Sequence, residues 1–322
     1  MINAVDTIRT SGWHMQNAYE RFVPEFKRYK PYQIMKNIAN DKETPPDYFL
    51  IWEGGISDPY CTKELANVKV PKAMWFSDSY PVKGYMDYFP FEVFWAKQTK
   101  PDIILMAQKG KIEDMKKETG IPTYWLPFAG DPLYHHEFSQ VLYDISYVGT
   151  INPNKDHADY KKAEYLTLLA KNGYDIGITI SHDGWKYFNV STLPFHLWVY
   201  RPTLDEYSER VCWGKIGFNC NIAGDLTNRT FEIPLMNRPL LSNGGDNYNS
   251  IFEDGKNIII YNNSNIIEKT KELIQDEGLR KTIAKNGYEK VIKSHTWGAR
   301  IGQIEALVDN NIERYENSLY GK

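Results

Sequence analysis

The residues best suited to chemistry lie in one run from Arg229 to Asp246. The run is predicted to form a helix, a short turn, a buried strand and a glycine turn that opens another helix. Backbone amides at such a helix N-terminus suit a diphosphate, and Glu232 can accept two hydrogen bonds from ribose hydroxyls. A plain turn at Gly244-Gly245 and a solvated Glu232 would account for the same residues equally well. The candidates of this run are Arg229, Glu232, Asn243, Gly244, Gly245 and Asp246.

Three further segments carry polar side chains where α/β folds display functional groups. Asp78 follows the apolar strand that ends at Phe76. We expect it to act as a base or hydrogen-bond partner for a second substrate, the acceptor. Ser11-Gly12-Trp13-His14 precedes a helical pattern, and is either a glycine turn that faces a ligand or a helix start capped by Ser11. His135 is expected to line the cleft. A loop role for Asp78 and a structural role for His135 stay open.

Two successive α/β units are expected to position these residues. Short apolar runs bounded by turn residues alternate with helical patterns, which is typical of doubly wound parallel sheets. The predicted strands are Tyr48–Trp52, Ala73–Phe76, Ile103–Ala107, Thr123–Pro127, Ile145–Val148, Tyr174–Ile180, Ile216–Asn219, Pro239–Ser242 and Ile258–Tyr261. Three helices are predicted after Asn265. The expected α/β domains are residues 1–140 on the acceptor side and 141–296 on the nucleotide side, with a C-terminal helix in 297–322 that packs back toward the first domain.

Composition describes an ordinary folded chain. Its 322 residues favour two domains, and a formal net charge of -3 disfavours nucleic acid without excluding a local basic stripe. Three cysteines without a Cys-x-x-Cys pair predict neither a disulfide framework nor a zinc site. No leader and no membrane-length apolar run is visible, so we expect no membrane insertion and a cytoplasmic location, in a bacterium or a phage-infected host.

The C-terminal half resembles the donor-binding half of GT-B glycosyltransferases, and most closely that of the CgeB-like family of the group 1 type. The family's R-x-F-E helix, apolar strand and D/E-G-K-E/N-strand-Y ending are similar to Arg229–Glu232, Pro239–Ser242 and Phe252–Tyr261. Other family motifs follow in order at Asp144–Thr150, Trp213–Asn219 and His295–Arg300. The resemblance covers the chain from Asp131 by motif, and the first domain by pattern alone.

This resemblance implies a GT-B fold of two Rossmann-like domains facing across a cleft, with a UDP- or GDP-linked sugar as co-substrate and no separate cofactor. It implies a donor site made of Gly149, Thr150, Lys155, Lys215, Arg229, Glu232, Asn243, Gly244, Gly245 and Asp246. Thr150 stands where the retaining GT-B group has an arginine, which leaves Lys155, Lys215 and Arg229 as candidate diphosphate cations. Gly224 stands where that group has an acid. No Asp-x-Asp triplet occurs in the sequence, which favours a site without a metal.

We therefore expect a glycosyltransferase that moves a sugar from a nucleotide sugar to a hydroxyl acceptor, with retention of anomeric configuration implied by the resemblance. The acceptor stays open among a small molecule, a glycan precursor, a protein and hydroxymethylated phage DNA bases. A non-catalytic nucleotide-sugar-binding module is the alternative, because the first acid is missing. A GT-B-type nucleotide-sugar epimerase is another.

Overall fold

The computed structural model describes residues 2–5, 21, 27–29, 47–52, 65–67, 69–77, 87–152, 154–181, 188, 193–222 and 224–321. The described residues divide into two compact units. Those within Met1–Pro81, Asp87–Phe128 and Trp297–Lys322 form the first, and those within Ala129–Thr296 form the second. Each unit is built around one six-stranded sheet.

All described strand pairs in both sheets are parallel. The first sheet has the order β2-β1-β3-β4-β5-β6, with β1 (Ile2–Val5), β2 (Lys27–Tyr29), β3 (Tyr48–Trp52), β4 (Lys72–Phe76), β5 (Ile103–Met106) and β6 (Thr123–Trp125). The second has the order β12-β11-β10-β7-β8-β9, with β7 (Tyr143–Thr150), β8 (Ile176–Ser181), β9 (Phe195–Val199), β10 (Gly214–Asn219), β11 (Leu240–Ser242) and β12 (Ile259–Ile260). The nine predicted strands are all present, with ends that shift by a few residues.

Nine helices of the described residues accompany these sheets. They are α1 (Phe89–Thr99), α2 (Ile112–Thr119), α3 (Tyr160–Lys171), α4 (Leu204–Cys212), α5 (Asn228–Leu235), α6 (Ile266–Gln275), α7 (Glu277–Ser294), α8 (Trp297–Val308) and α9 (Ile312–Tyr320). Their ends follow ordinary capping chemistry: α2 stops at Gly120 in a left-handed conformation, and α4 begins where the Glu206 carboxylate accepts a hydrogen bond from the Thr203 amide at 2.7 Å.

Four helices, rather than the predicted three, follow Asn265. Gly287 does not interrupt α7, and a Cβ at this position would lie 2.8 Å from the Asn257 carbonyl oxygen. The glycine therefore serves close packing inside a helix. The predicted helix in 297–322 is two helices, α8 and α9.

The division between the units falls after Phe128, earlier than the expected boundary at residue 140. The reason is that the intervening segment hydrogen-bonds to the second unit. Ser208 Oγ donates to the Tyr134 carbonyl at 2.5 Å, and Arg238 Nη2 donates to the Phe138 carbonyl at 2.8 Å.

Arg300 is a fully buried cation in the first unit, on α8. Its Nε donates to the Pro127 carbonyl at 2.9 Å, its Nη2 to the Phe128 carbonyl at 3.0 Å, and its Nη1 to Gln303 Oε1 at 2.8 Å. Burial lowers the pKa of Arg300 to about 9, which still leaves it charged at neutral pH. Arg300 belongs to the C-terminal helix α8 and donates to carbonyls of the segment after β6. It therefore joins distant parts of the sequence within one unit.

Cys212 and Cys220 are buried free thiols. Burial raises the pKa of both, that of Cys220 to about 11, so they stay protonated at neutral pH. Cys61 lies outside the described residues. Within the part of the chain that the structure describes, no helix is long and apolar enough to cross a bilayer.

Candidate functional site

The order of the second sheet reverses at its centre. From β7 the chain proceeds outward through β8 and β9, then returns to the other side of β7 and continues through β10, β11 and β12. In open parallel sheets such a reversal leaves a ligand crevice at the carboxyl ends of the two central strands. Gly149 and Thr150 end β7, and Asn219 ends β10.

Arg229, in the first turn of α5, extends to the carboxyl end of β7. Its Nε donates to the Val148 carbonyl at 2.9 Å, and its guanidinium carbon lies 5.2 Å from the centre of the Tyr147 ring. A Cβ on Gly149 would lie 1.8 Å from Arg229 Nη2. The guanidinium therefore takes the space that any side chain at position 149 would need.

The surroundings of Arg229 preserve its charge. Burial by itself lowers the pKa of Arg229. The nearby Tyr147, Tyr207 and Glu232 outweigh burial and raise that pKa. A positive charge is thus held beside Gly149, at the sheet edge where the crevice lies.

Glu232 lies one helical turn after Arg229 and is nearly buried, with 8% of its surface exposed. Its Oε2 accepts a 2.6 Å hydrogen bond from the Tyr207 hydroxyl of α4, and its Oε1 lies 3.8 Å from His135 Nε2. Residues three apart share a helix face, so the cation and the carboxylate are presented on the same side of α5.

His135 is buried and neutral. Its Nδ1 accepts a hydrogen bond from the Asp131 amide at 2.9 Å, which assigns the ring proton to Nε2. Burial lowers the pKa of His135 to about 4. From its position in the sequence, His135 is expected to line a cleft. In the structure it packs beside Tyr207 and faces Glu232.

A buried ion pair stands after the end of β7. Lys162 Nζ lies 2.5 Å from Asp159 Oδ1 and 3.5 Å from the Thr150 carbonyl, and both side chains are almost fully buried. The negative charge of the Asp159 carboxylate also contributes to the raised pKa of Arg229. Lys162 is not among the residues predicted from the sequence, although Asp159 and Lys162 lie three residues apart at the start of a helical pattern. Lys155, which was predicted, is exposed in the preceding turn.

Lys215 does not join this group, contrary to the sequence prediction. It lies near the start of β10, where its Nζ pairs with Asp144 Oδ1 at 2.8 Å near the start of β7. At about 3.3 Å per residue, β7 carries Gly149 roughly 17 Å from Asp144. Lys215 is therefore at the opposite edge of the sheet.

The glycine run Asn243–Asp246 does not open an α-helix, so the predicted helix N-terminus is wrong. A three-residue 3-10 turn follows at Tyr248–Ser250. Gly244 has a φ of 69°, and a Cβ on Gly245 would lie 2.5 Å from the Gly224 carbonyl oxygen. The glycines serve close approach of two loops.

Side chains and backbone groups of the run hold that loop pairing together. Asn243 exchanges hydrogen bonds with the backbone of Asn221 at 2.6 and 2.8 Å, and the Asp246 amide donates to the Gly224 carbonyl at 3.0 Å. Beneath them the Tyr248 hydroxyl lies 3.1 Å from Ser242 Oγ, in a buried polar cluster. These groups shape the loops after β10 and β11.

Five predicted site residues lie outside the described part of the chain, namely Ser11, Gly12, Trp13, His14 and Asp78. Among the residues that the structure describes, no group of three or more His, Cys, Asp or Glu side chains could hold a metal ion. The groups brought together at the crevice are thus Gly149, Arg229, Glu232 and His135 from the predictions, with Tyr207, Asp159 and Lys162 added by the structure.

Residues 162–306 match a protein family described as glycosyl transferase-like. That span contains α5 with Arg229 and Glu232, and also Lys162 and Tyr207. No curated protein sequence matches the chain.

Solved glycosyltransferases share the fold. HepE of Anabaena, in complex with UDP and glucose, aligns at a TM-score of 0.66 and 10% identity over 96% of this chain and 99% of its own. TarM of S. aureus aligns at 0.60 and 12% over 91% of this chain and 58% of its own. The pneumococcal O-GlcNAc transferase GtfA, in complex with UDP and GlcNAc, aligns at 0.57 and 12% over 88% and 60%.

This chain therefore spans under two thirds of TarM and GtfA and nearly all of HepE. It has the α/β GT-B fold with two parallel sheets. Its residues 162–306 are similar to proteins described as glycosyl transferase-like.

Proposed function

We propose that this protein transfers a sugar from a nucleotide-sugar donor, held at the carboxyl ends of β7 and β10, to a hydroxyl acceptor. The observation that carries the proposal is the pairing of Arg229 and Glu232 on one face of α5, at the reversal point of the second sheet. A cation and a carboxylate one turn apart match the two ends of a ribose diphosphate, which presents charge at one end and hydroxyls at the other.

We assign the diphosphate chiefly to Arg229, whose charge lies beside Gly149 at the end of β7. Lys162 Nζ lies 3.5 Å from the Thr150 carbonyl at the same end, but its charge is balanced by Asp159. A fixed cation stabilises the negative charge that develops on a departing nucleoside diphosphate, the task that other glycosyltransferases give to a metal ion. We accordingly propose a metal-independent transfer, with Glu232 accepting the ribose hydroxyls.

UDP is the first nucleotide to test, because HepE and GtfA were solved with UDP and a sugar. GDP is the second. Membership of the CgeB-like group, retention of configuration, a cytoplasmic location and the absence of a separate cofactor belong to the same proposal. The motifs at Arg229–Glu232 and Phe252–Tyr261 support it. Hydroxymethylated DNA bases remain one of the proposed acceptor classes, beside small molecules, glycan precursors and proteins.

One observation favours a second candidate, a nucleotide-sugar-binding module without turnover. Gly224 occupies the place of the first acid of retaining GT-B enzymes and has a φ of 76°, a backbone conformation that side chains rarely adopt. A side chain at this position would strain the backbone, although no atom lies within 4 Å of the place that a Cβ would take. Hydrolysis of the nucleotide-sugar donor to free sugar and nucleoside diphosphate, measured without an acceptor, would favour the enzyme over the binding module.

Isothermal titration with UDP, GDP, ADP, CDP and TDP tests donor binding. We expect one diphosphate to bind, and Arg229→Ala to weaken it by about tenfold or more, since a charge-assisted hydrogen bond is worth about 1.5–3 kcal/mol. Glu232→Ala should also weaken it. Lys215→Ala is the matched control, because its charge lies at the far edge of the same sheet. Binding that survives Arg229→Ala and Glu232→Ala would refute the site.

A further inference from the structure

The carboxylate of Glu232 is held by side chains from two other segments of the second unit. Tyr207 belongs to α4, and its hydroxyl donates to Oε2 at 2.6 Å, a length typical of hydrogen bonds to charged acceptors. Burial, followed by the charge of Glu232, raises the pKa of Tyr207 well above its ordinary value. The phenol therefore keeps its proton and acts as a permanent donor.

His135 faces the other oxygen of the same carboxylate. Because its Nδ1 accepts from the Asp131 amide, its Nε2 carries the proton, and this atom lies 3.8 Å from Glu232 Oε1. The His135 and Tyr207 rings meet edge to face, with centroids 5.8 Å apart. Each ring thus limits the position of the other.

This arrangement restricts the softest torsion of the glutamate. The terminal torsion of Glu is broad, so an unrestrained carboxylate turns freely about it. A ligand with two adjacent hydroxyls needs both oxygens in one fixed plane, and freezing that plane during binding lowers affinity. A partner that fixes the plane beforehand removes that cost.

We propose that Tyr207 is a positioning residue for the donor: its hydroxyl, together with His135, holds the Glu232 carboxylate in the plane that accepts ribose hydroxyls, and so sets the preference for ribose over 2′-deoxyribose. This inference rests on the proposed function and deepens it. Tyr207 acts through Glu232, so its contribution disappears when Glu232 can no longer accept.

The test compares UDP with 2′-deoxy-UDP, and GDP with 2′-deoxy-GDP, by isothermal titration. The proteins are the full chain, Tyr207→Phe, Glu232→Ala and the double variant. We expect the parent to prefer the ribonucleotide, and Tyr207→Phe to lose about five- to tenfold in ribonucleotide affinity with little change for the deoxy form. In the Glu232→Ala background, where residue 232 has no acceptor, Tyr207→Phe should change affinity by less than about twofold.

Tyr174→Phe is the matched control, because the Tyr174 hydroxyl donates to the Ile267 carbonyl at 3.4 Å, away from the Glu232 carboxylate. Should Tyr207→Phe fail to fold, His135→Phe removes the Nε2–H that faces Glu232 Oε1 at 3.8 Å and must reduce the ribose preference in the same direction. A parent that binds none of UDP, GDP, ADP, CDP and TDP overturns the proposed function and this inference together; where a nucleotide other than UDP or GDP binds, its ribose and 2′-deoxyribose forms are compared instead. A parent that binds, with a ribose preference that Tyr207→Phe leaves intact or that never existed, overturns the inference alone.

Discussion

Acid should destabilise the second unit through the buried ring of His135. Burial lowers its pKa to about 4 from an ordinary value of 6.5. Between these two values the unfolded chain binds a proton that the folded protein excludes. Stability therefore falls as the pH decreases through 6.5 and stops falling below the folded pKa.

The magnitude follows from that shift. At pH 5 the ring is almost wholly protonated in the unfolded chain and almost wholly neutral in the folded one. The linkage relation then makes folding weaker by about 2 kcal/mol at pH 5 than at pH 7 from His135 alone. Because only 2% of the residue is accessible, water cannot solvate a protonated His135 ring in the folded protein.

Urea unfolding of the parent and of His135→Asn at pH 7, 6 and 5 measures this quantity. The asparagine retains an acceptor for the Asp131 amide but does not titrate. Carboxylates are common to both proteins, so the difference between their pH slopes isolates His135. Equal slopes for the parent and His135→Asn would refute the argument.

Three other perturbations have definite outcomes. Gly149→Ala should displace the guanidinium of Arg229, because the new Cβ would lie 1.8 Å from Nη2, and should weaken diphosphate binding in titration by tenfold or so. Lys162→Met should cost about 3–5 kcal/mol in urea unfolding by removing the cation beside the buried Asp159 carboxylate, and adding Asp159→Asn should recover part of that loss. Arg300→Met should lower the stability of the first unit by about 3 kcal/mol or more, since it leaves two buried carbonyls without their donor, with thermal unfolding as the readout.

The fold was largely predictable, because its strands are short apolar runs with clear punctuation. The predicted strand Tyr48–Trp52 agrees with the structure at both ends. The glycines of the C-terminal region led to a wrong prediction of where helices end. At Gly287 it serves close packing and not a helix end, and propensity alone does not separate these uses.

The candidate site was predictable only for residues that are close together in the sequence. Arg229 and Glu232 share a helix face through their spacing, which a sequence displays directly. Tyr207 and His135 reach Glu232 only after the chain has folded, so no short motif contains them. The glycine run was misjudged because a left-handed turn and a phosphate-binding loop require the same residue type.

The contact of Arg229 with Gly149 has a consequence for how this protein can change. The two positions are 80 residues apart in the chain but share one volume. A larger residue at 149 becomes tolerable only when the residue at 229 is shortened. The first change alone displaces the cation, and the second alone removes it. We expect the pair to vary jointly among variants selected for nucleotide binding, so a mutational library should randomise both codons together.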